Sequence, residues 1–93
     1  AWVVCFSCDV QLKNNVTVLP LSRYNSIGLS RFSWQWNEIA KEKFGLIGVG
    51  QGVIAQDVKK LYPWAAVKGA DGFLRVDYAS LDAMIDFEVV NFG

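Results

Sequence analysis

The order of apolar and polar residues along the chain predicts a mixture of short strands and short helices. The clearest strand signal is Phe32–Trp36, where three aromatic residues alternate with Ser33 and Gln35 in the period of two of a half-buried strand. The clearest helix signal covers residues 53–62, whose apolar members recur at helical spacing until Pro63 ends the run. The pattern therefore favours an α+β fold.

Weaker patterns predict the remaining elements. Residues 69–72 join two β-prone runs, and their Asp-Gly pair supplies the positive φ angles of a tight hairpin turn. In chain order, the other predictions are a strand at 2–6, a turn or short helix at 9–13, a strand at 16–21, a short helix at 22–29, a short helix at 37–44 capped by Asn37 and ended by Gly45, hairpin strands at 65–68 and 73–78, a last helix through Ile85 capped by Asp77 or Ser80, and an extended tail at 87–92. We expect a small single domain of short strands and a β-hairpin packed with three or four short helices.

Composition indicates that such a domain needs support from other chains. The 93 residues are 53% hydrophobic, which is enough for one core. A domain of this length buries only about 60 to 65% of the surface its unfolded chain exposes, so it is marginally stable by itself. Four Trp, six Phe and three Tyr are a heavy aromatic load. We therefore expect some of these aromatic side chains at a subunit interface.

Charge and hydropathy exclude two classes of partner. Nine basic and nine acidic residues give a net charge of zero, and the basic ones are scattered, so nucleic acid is not expected. No apolar run approaches the roughly 18 residues that a membrane span requires. We expect neither a nucleic-acid complex nor a membrane span.

The two cysteines form a C-x-x-C motif at Cys5 and Cys8, which is typical of a redox pair or of half a zinc site. The chain has no His and no second cysteine pair, so one chain cannot complete a four-ligand zinc site. A thioredoxin-like site requires the motif between a strand and a helix of a larger parallel sheet. We expect no metal and no cofactor, and a thiol-redox or metal module is the weakest functional alternative.

A glycine-rich segment imitates a dinucleotide-binding turn. Gly48, Gly50 and Gly52 precede a helix, and Asp71 follows about twenty residues later. The third glycine comes one position early, however, and 93 residues cannot supply a doubly wound sheet. We expect a flexible glycine loop here.

Several motifs occur together at fixed distances. Residues 52–58 read G-V-I-A-Q-D-V, residues 61–63 read L-Y-P, and residues 71–81 read D-G-F-L-R-V-D-Y-A-S-L. They resemble the signature of the endosialidase-type intramolecular chaperone domain of phage tail fibres and tailspikes, with its G-x-I-A-Q-E/D-V helix ending in F/Y-P, its D-G hairpin and its V-D/N-Y-x-x-L step. Residues 9–13 and Phe32–Trp36 resemble the family's opening motif and its F-x-W strand. The resemblance covers roughly residues 8 to 85.

The resemblance implies an assembly function. Family members lie at the end of a fibre or spike chain, help three chains to fold in register, and then cut themselves off through a serine and a lysine at the start of the domain. It implies a homotrimer attached to a parent chain, located in the virion and made in the host cytoplasm. Residues 1–7 would then end the preceding segment and residues 8–93 would form the chaperone-like domain. The first residue is not Met, as expected for an excerpt or a processed product.

The resemblance also implies candidate catalytic residues. The family's serine, aspartate and lysine positions hold Cys8, Asp9 and Lys13. A thiol can attack the preceding carbonyl if an amine takes its proton, and Lys13 would need a pKa lowered by burial to be that base. Residues five apart on a regular helix point about 140° apart, so either the segment is irregular or Lys13 serves a neighbouring subunit. Ser7 is a second possible nucleophile, but it is out of register with the motif.

Other motif residues receive structural roles. Gln56, beside Asp57, either bonds to the backbone of an adjacent segment or lies on the helix surface. Asp77 is expected to cap a helix or accept in a turn, and Tyr78 is expected in the core.

A different class of function stays open. The family usually continues into a long coiled coil, whereas residues 86–93 indicate a short extended tail without heptads. This favours, as the alternative, a structural fibre tip that stays attached and contacts a host receptor.

Overall fold

A computed structural model describes residues 4, 5 and 7–92 of the chain and confirms the mixed α+β fold. The described part contains six strands and three α-helices. Their bounds are β1 Val4–Cys5, β2 Lys13–Val18, β3 Phe32–Trp36, α1 Glu38–Phe44, β4 Val49–Gly52, α2 Ala55–Leu61, β5 Ala66–Lys68, β6 Leu74–Asp77 and α3 Tyr78–Phe92. Three 3-10 turns, at Val10–Leu12, Arg23–Ile27 and Pro63–Ala65, connect them.

The strands form two antiparallel sheets of three strands each. The first sheet has the order β1-β6-β5, and the second has the order β2-β3-β4. The predicted hairpin is confirmed, since Ala66 pairs with Val76 and Lys68 pairs with Leu74. Its turn contains Gly72 at a φ of 87°, a backbone conformation that glycine adopts without strain.

The predicted strand at Phe32–Trp36 is confirmed as the centre of the second sheet. The predicted glycine loop is wrong at its C-terminal end, because Val49–Gly52 forms β4 and Gly50 pairs with Trp34. A Cβ atom on Gly50 would lie 2.5 Å from Nε1 of Trp34. Glycine is therefore required at position 50 by the close approach of an indole ring.

Helix α1 follows the sequence prediction. The Asn37 side chain accepts a hydrogen bond from the Ala40 N–H, and Gly45 ends the helix in the left-handed conformation. Two neighbouring predictions are shifted. Strand β2 begins at Lys13 rather than residue 16, because Lys13 pairs with Trp36 across the sheet. The helix predicted at 22–29 is the 3-10 turn Arg23–Ile27.

Helix α3 covers Tyr78–Phe92, so the extended tail predicted at 87–92 is wrong. Asp77 caps α3 by accepting from the Ala79 N–H at 3.0 Å. No glycine or proline interrupts Tyr78–Phe92, and the helix continues for 15 residues. Part of the strand predicted at 2–6 lies outside the described residues, which include its members Val4 and Cys5 in β1.

The main core lies between the first sheet and helices α2 and α3. Its most enclosed side chains are fully buried: Val53, Val58, Val76 and Leu81. We predict that Leu81→Ala lowers the free energy of unfolding by about 2 to 5 kcal/mol, because it leaves a cavity in this core. Urea unfolding followed by circular dichroism measures the loss.

The matched control for this substitution is Leu21→Ala, at a leucine that is 86% exposed. It should change the free energy of unfolding by no more than about 0.5 kcal/mol. Equal effects at the two leucines would contradict the described core.

Candidate functional site

The three candidate residues, Cys8, Asp9 and Lys13, lie together in the link between the two sheets. Cys8 is 1% exposed, Asp9 is 0% exposed and Lys13 is 7% exposed. A buried aspartate and a buried lysine are uncommon unless each is compensated by partners. The partners of each residue therefore define what this site can do.

Asp9 is a structural anchor. Its carboxylate accepts from the Gln11 N–H at 2.9 Å, where it caps the 3-10 turn, and from the Leu74 N–H at 2.7 Å. Gln56 Nε2 donates a further bond at 2.7 Å. Burial favours a raised pKa for the Asp9 carboxyl, but these hydrogen bonds, that of Leu74 first, hold the pKa below its ordinary value. Asp9 is therefore ionised and fixed rather than poised to exchange a proton.

The start of helix α2 holds the residues around Asp9. Gln56 Oε1 accepts from the Val10 N–H at 2.8 Å, and the Ala55 N–H donates to the Cys8 carbonyl at 2.8 Å. Of the two roles considered for Gln56, backbone bonding is confirmed. The motif residue Asp57 lies in the first turn of the same helix, where its charge complements the helix dipole.

Lys13 binds the backbone on both sides of Cys8. Its Nζ donates to the carbonyl oxygens of Ser7 and Asp9, each at 2.7 Å. The same atom lies 4.4 Å from the ring centroid of Trp34 and 5.2 Å from that of Trp36. Two carbonyls and two indole faces thus form a buried cradle for one ammonium group.

The irregular backbone explains how residues five apart share one site. The segment is a short 3-10 turn followed by a strand rather than one helix, so Lys13 reaches the peptide group between Ser7 and Cys8 within its own chain. Burial lowers the pKa of Lys13 to about 8, although the Asp9 carboxylate opposes this shift. Near neutral pH this lysine can exchange a proton more readily than an exposed one.

The sulfur of Cys8 is bonded to that of Cys5 in a disulfide. The C-x-x-C motif is compatible with this disulfide, but the sequence alone is equally compatible with free thiols or a metal site. Tyr78 Oη lies 3.8 Å from the Cys8 sulfur and accepts from the Val53 N–H at 3.3 Å. Tyr78 is half-buried rather than fully in the core, and burial raises the pKa of its phenol.

The arrangement is suited to chemistry at one peptide bond. The carbonyl oxygen of Ser7 already receives a hydrogen bond from a buried ammonium, which would stabilise negative charge on that oxygen. The Ser7 residue contributes this carbonyl. Sequence reasoning missed Trp34 and Trp36 as walls of the lysine cradle, since their alternation indicated only a strand.

We predict that Lys13 makes the free energy of unfolding rise with pH. The pKa of Lys13 is about 8 in the folded chain and 10.5 in an ordinary exposed lysine, so between these values the unfolded state holds more protons. From about pH 8 to about pH 9.5 the free energy of unfolding should increase by roughly 1 to 2 kcal/mol. Urea unfolding of the disulfide-bonded chain at several pH values measures the slope.

Lys13→Met should remove most of that slope, and Lys41→Met, at an exposed lysine of α1, should retain it. The comparison with these variants separates the contribution of Lys13 from that of other titratable groups. An unchanged slope in Lys13→Met would show that Lys13 is not the group responsible.

Comparison of the chain with protein-family models, with curated proteins and with solved structures found no match. Within the described residues, no cluster of three or more acidic, cysteine or histidine side chains is arranged to bind a metal ion. None of the described helices is long and apolar enough to cross a membrane. The chemistry of the Cys8, Asp9 and Lys13 site is therefore the main guide to function.

Proposed function

We propose that this chain is a C-terminal chaperone domain that promotes trimerisation and folding of a phage tail fibre or tailspike, and that it releases itself by cutting before Cys8. In this proposal residues 1–7 belong to the preceding segment, the protein is made in the host cytoplasm, and the mature fibre joins the virion. The sequence resemblance supplies the assembly role, and the buried lysine supplies the chemistry.

One observation carries the cleavage part of the proposal. Lys13 Nζ lies 2.7 Å from the carbonyl oxygen of Ser7, which belongs to the peptide bond that would be cut. A lysine that served only to fill space would not need a buried ammonium directed at this carbonyl, and burying it costs free energy. Besides its equal bond to the Asp9 carbonyl, Lys13 thus gives the Ser7 carbonyl the buried cationic donor that the proposed cut requires.

The proposed reaction starts from the reduced chain. The Cys8 thiol gives up its proton and its sulfur attacks the Ser7 carbonyl carbon, while Lys13 stabilises the negative charge on the oxygen. The C–N bond then breaks, the Cys8 nitrogen takes up a proton, and a thioester links Ser7 to the Cys8 sulfur. Water hydrolyses this thioester to the Ser7 carboxylate and the free thiol. Lys13 Nζ contacts the oxygen of the same peptide group, so in this proposal its amine carries the proton from sulfur to nitrogen.

Exposed apolar side chains on sheet edges support the trimer. Val49 on β4 is 67% exposed and Val67 on β5 is 61% exposed, and each strand is at the edge of its sheet. Trp64 is 63% exposed. Apolar residues on open strand edges favour association with other chains. Trp34 and Trp36, in contrast, pack within the chain against Lys13 and Gly50.

The disulfide favours the alternative function, a structural tip that is not cut. With its sulfur bonded to Cys5, Cys8 has no thiol to attack a carbonyl. An open groove of about 670 Å³, with Tyr24, Arg31 and Tyr78 in its lining, offers such a tip a surface for a host receptor. The extended tail predicted from the sequence had favoured this alternative. That argument no longer applies, because residues 87–92 continue α3.

We predict that the chain is a homotrimer in solution at micromolar concentration, because association covers the exposed apolar edges. Light scattering coupled to size exclusion measures the mass. Val49→Lys places a charge on the β4 edge and should shift the population towards monomer. Ser26→Lys adds the same charge at an exposed polar position and should not. A monodisperse monomer of the wild-type chain would contradict the trimer.

We predict that the reduced chain is cut between Ser7 and Cys8, and that Lys13→Met slows the cut by about 100-fold or more, since it removes the proton carrier. Intact-mass spectrometry detects the product that begins at Cys8. Cys8→Ala should abolish the cut, whereas Cys8→Ser supplies the hydroxyl found in the family and should retain it. Lys41→Met serves as the control. No cut in either the wild-type chain or Cys8→Ser would remove the peptidase function.

A further inference from the structure

The disulfide occupies the atom that the proposed reaction needs. Cys8 Sγ is bonded to Cys5 Sγ. A disulfide sulfur carries no proton to give up and is not a thiolate, so it cannot attack the Ser7 carbonyl carbon. The other parts of the site are nevertheless assembled in this state, since Lys13 already contacts the Ser7 carbonyl. A free Cys8 thiol is therefore what the site lacks for reaction.

Cys5 is held beside Cys8 by the fold. It lies on β1 and pairs with Val76 of the central strand of the first sheet. On the other side, the Cys8 carbonyl accepts from the Ala55 N–H at the start of α2. These backbone bonds do not involve sulfur, so they position both cysteines whether or not the disulfide is present.

The two cysteines differ in exposure. Cys8 is 1% exposed, whereas Cys5 is half-buried. An incoming thiolate must approach a sulfur in line with the S–S bond, so it reaches the Cys5 sulfur more easily. Attack at Cys5 makes Cys8 the leaving group. Reduction by this route releases the Cys8 sulfur as a thiolate next to the carbonyl that Lys13 holds.

We propose that the Cys5–Cys8 disulfide is a redox gate on self-cleavage, opened by a dithiol reductant. One thiolate of the dithiol attacks Cys5 Sγ, the S–S bond breaks, and Cys8 leaves as a thiolate. The second thiol of the dithiol then displaces Cys5, so the protein disulfide gains two electrons and the dithiol becomes a disulfide. The freed Cys8 thiolate attacks the Ser7 carbonyl carbon. This gate rests on the self-cleavage described under the proposed function.

The gate would match cleavage to the compartment in which assembly takes place. Thiols stay reduced in the cytoplasm and disulfides persist outside cells. A chain made in the cytoplasm is therefore competent to cut while it assembles. A chain that meets oxidising conditions before it is cut is locked in the uncut form.

The test uses the 93-residue chain and its Cys5→Ser variant, each incubated with oxidised glutathione or with dithiothreitol. The wild-type chain should give the product that begins at Cys8 only with dithiothreitol. Cys5→Ser cannot form the disulfide within one chain and should be cut in dithiothreitol at the wild-type rate. Without glutathione or dithiothreitol, Cys5→Ser should also be cut. The air-oxidised wild-type chain should stay uncut under the same conditions. Thiol alkylation followed by intact mass reports which cysteines are free in each sample.

Failure of the gate and failure of self-cleavage give different results. If the oxidised wild-type chain gains the mass of one water, and separates into two pieces only after reduction, the bond is cut with the disulfide in place and the gate is wrong. If the reduced wild-type chain and Cys5→Ser both fold, both have free thiols and neither is cut, the self-cleavage proposal fails and the gate fails with it. Equal cutting of the wild-type chain under all conditions also overturns the gate.

Discussion

The burial of the Lys13 ammonium among backbone carbonyls is the interaction on which the rest of this structure depends. The cost of removing this charge from water is offset by the carbonyls of Ser7 and Asp9 and by the faces of two indole rings. The Asp9 carboxylate then ties the same turn to Leu74 in the first sheet and to Gln56 in α2. One short segment therefore connects both sheets and a helix.

This connection links the chemistry of the site to the folding of the domain. Leu74 lies 65 residues from Asp9 in sequence, and Gln56 lies 47 residues away. Local bonds from Gln11 and Lys13 also hold the turn, but the bonds to Leu74 and Gln56 exist only when these distant segments have packed. Under the proposed function, a cut before Cys8 would thus follow the completion of the fold. A chaperone domain that leaves its product only after assembly benefits from this order of events.

Under the proposed function, the disulfide and the lysine have opposite effects on the cut. Lys13 would prepare the Ser7 carbonyl for attack, whereas the bond to Cys5 would withhold the attacking sulfur. The fully buried aspartate beside them stays ionised through its hydrogen bonds and keeps the geometry constant. Under the proposed function, an attached tip and a self-releasing chaperone would be the oxidised and the reduced state of one site.

The sequence by itself determined the elements whose signals are local: the alternating strand β3, the capped helix α1 and the Asp-Gly hairpin. Through the family resemblance, it also identified Cys8, Asp9 and Lys13 as candidates for one site. Only the tertiary structure decided that Gly50 belongs to a strand, that Lys13 reaches the Ser7 carbonyl, and that Cys8 is bonded to Cys5. Strand register, burial and the partners of a buried charge depend on segments far apart in the chain, so no local pattern encodes them. The extended tail predicted after Ile85 failed for a related reason, because short apolar runs fit a strand or a helix equally well and the α3 cap lies several residues upstream.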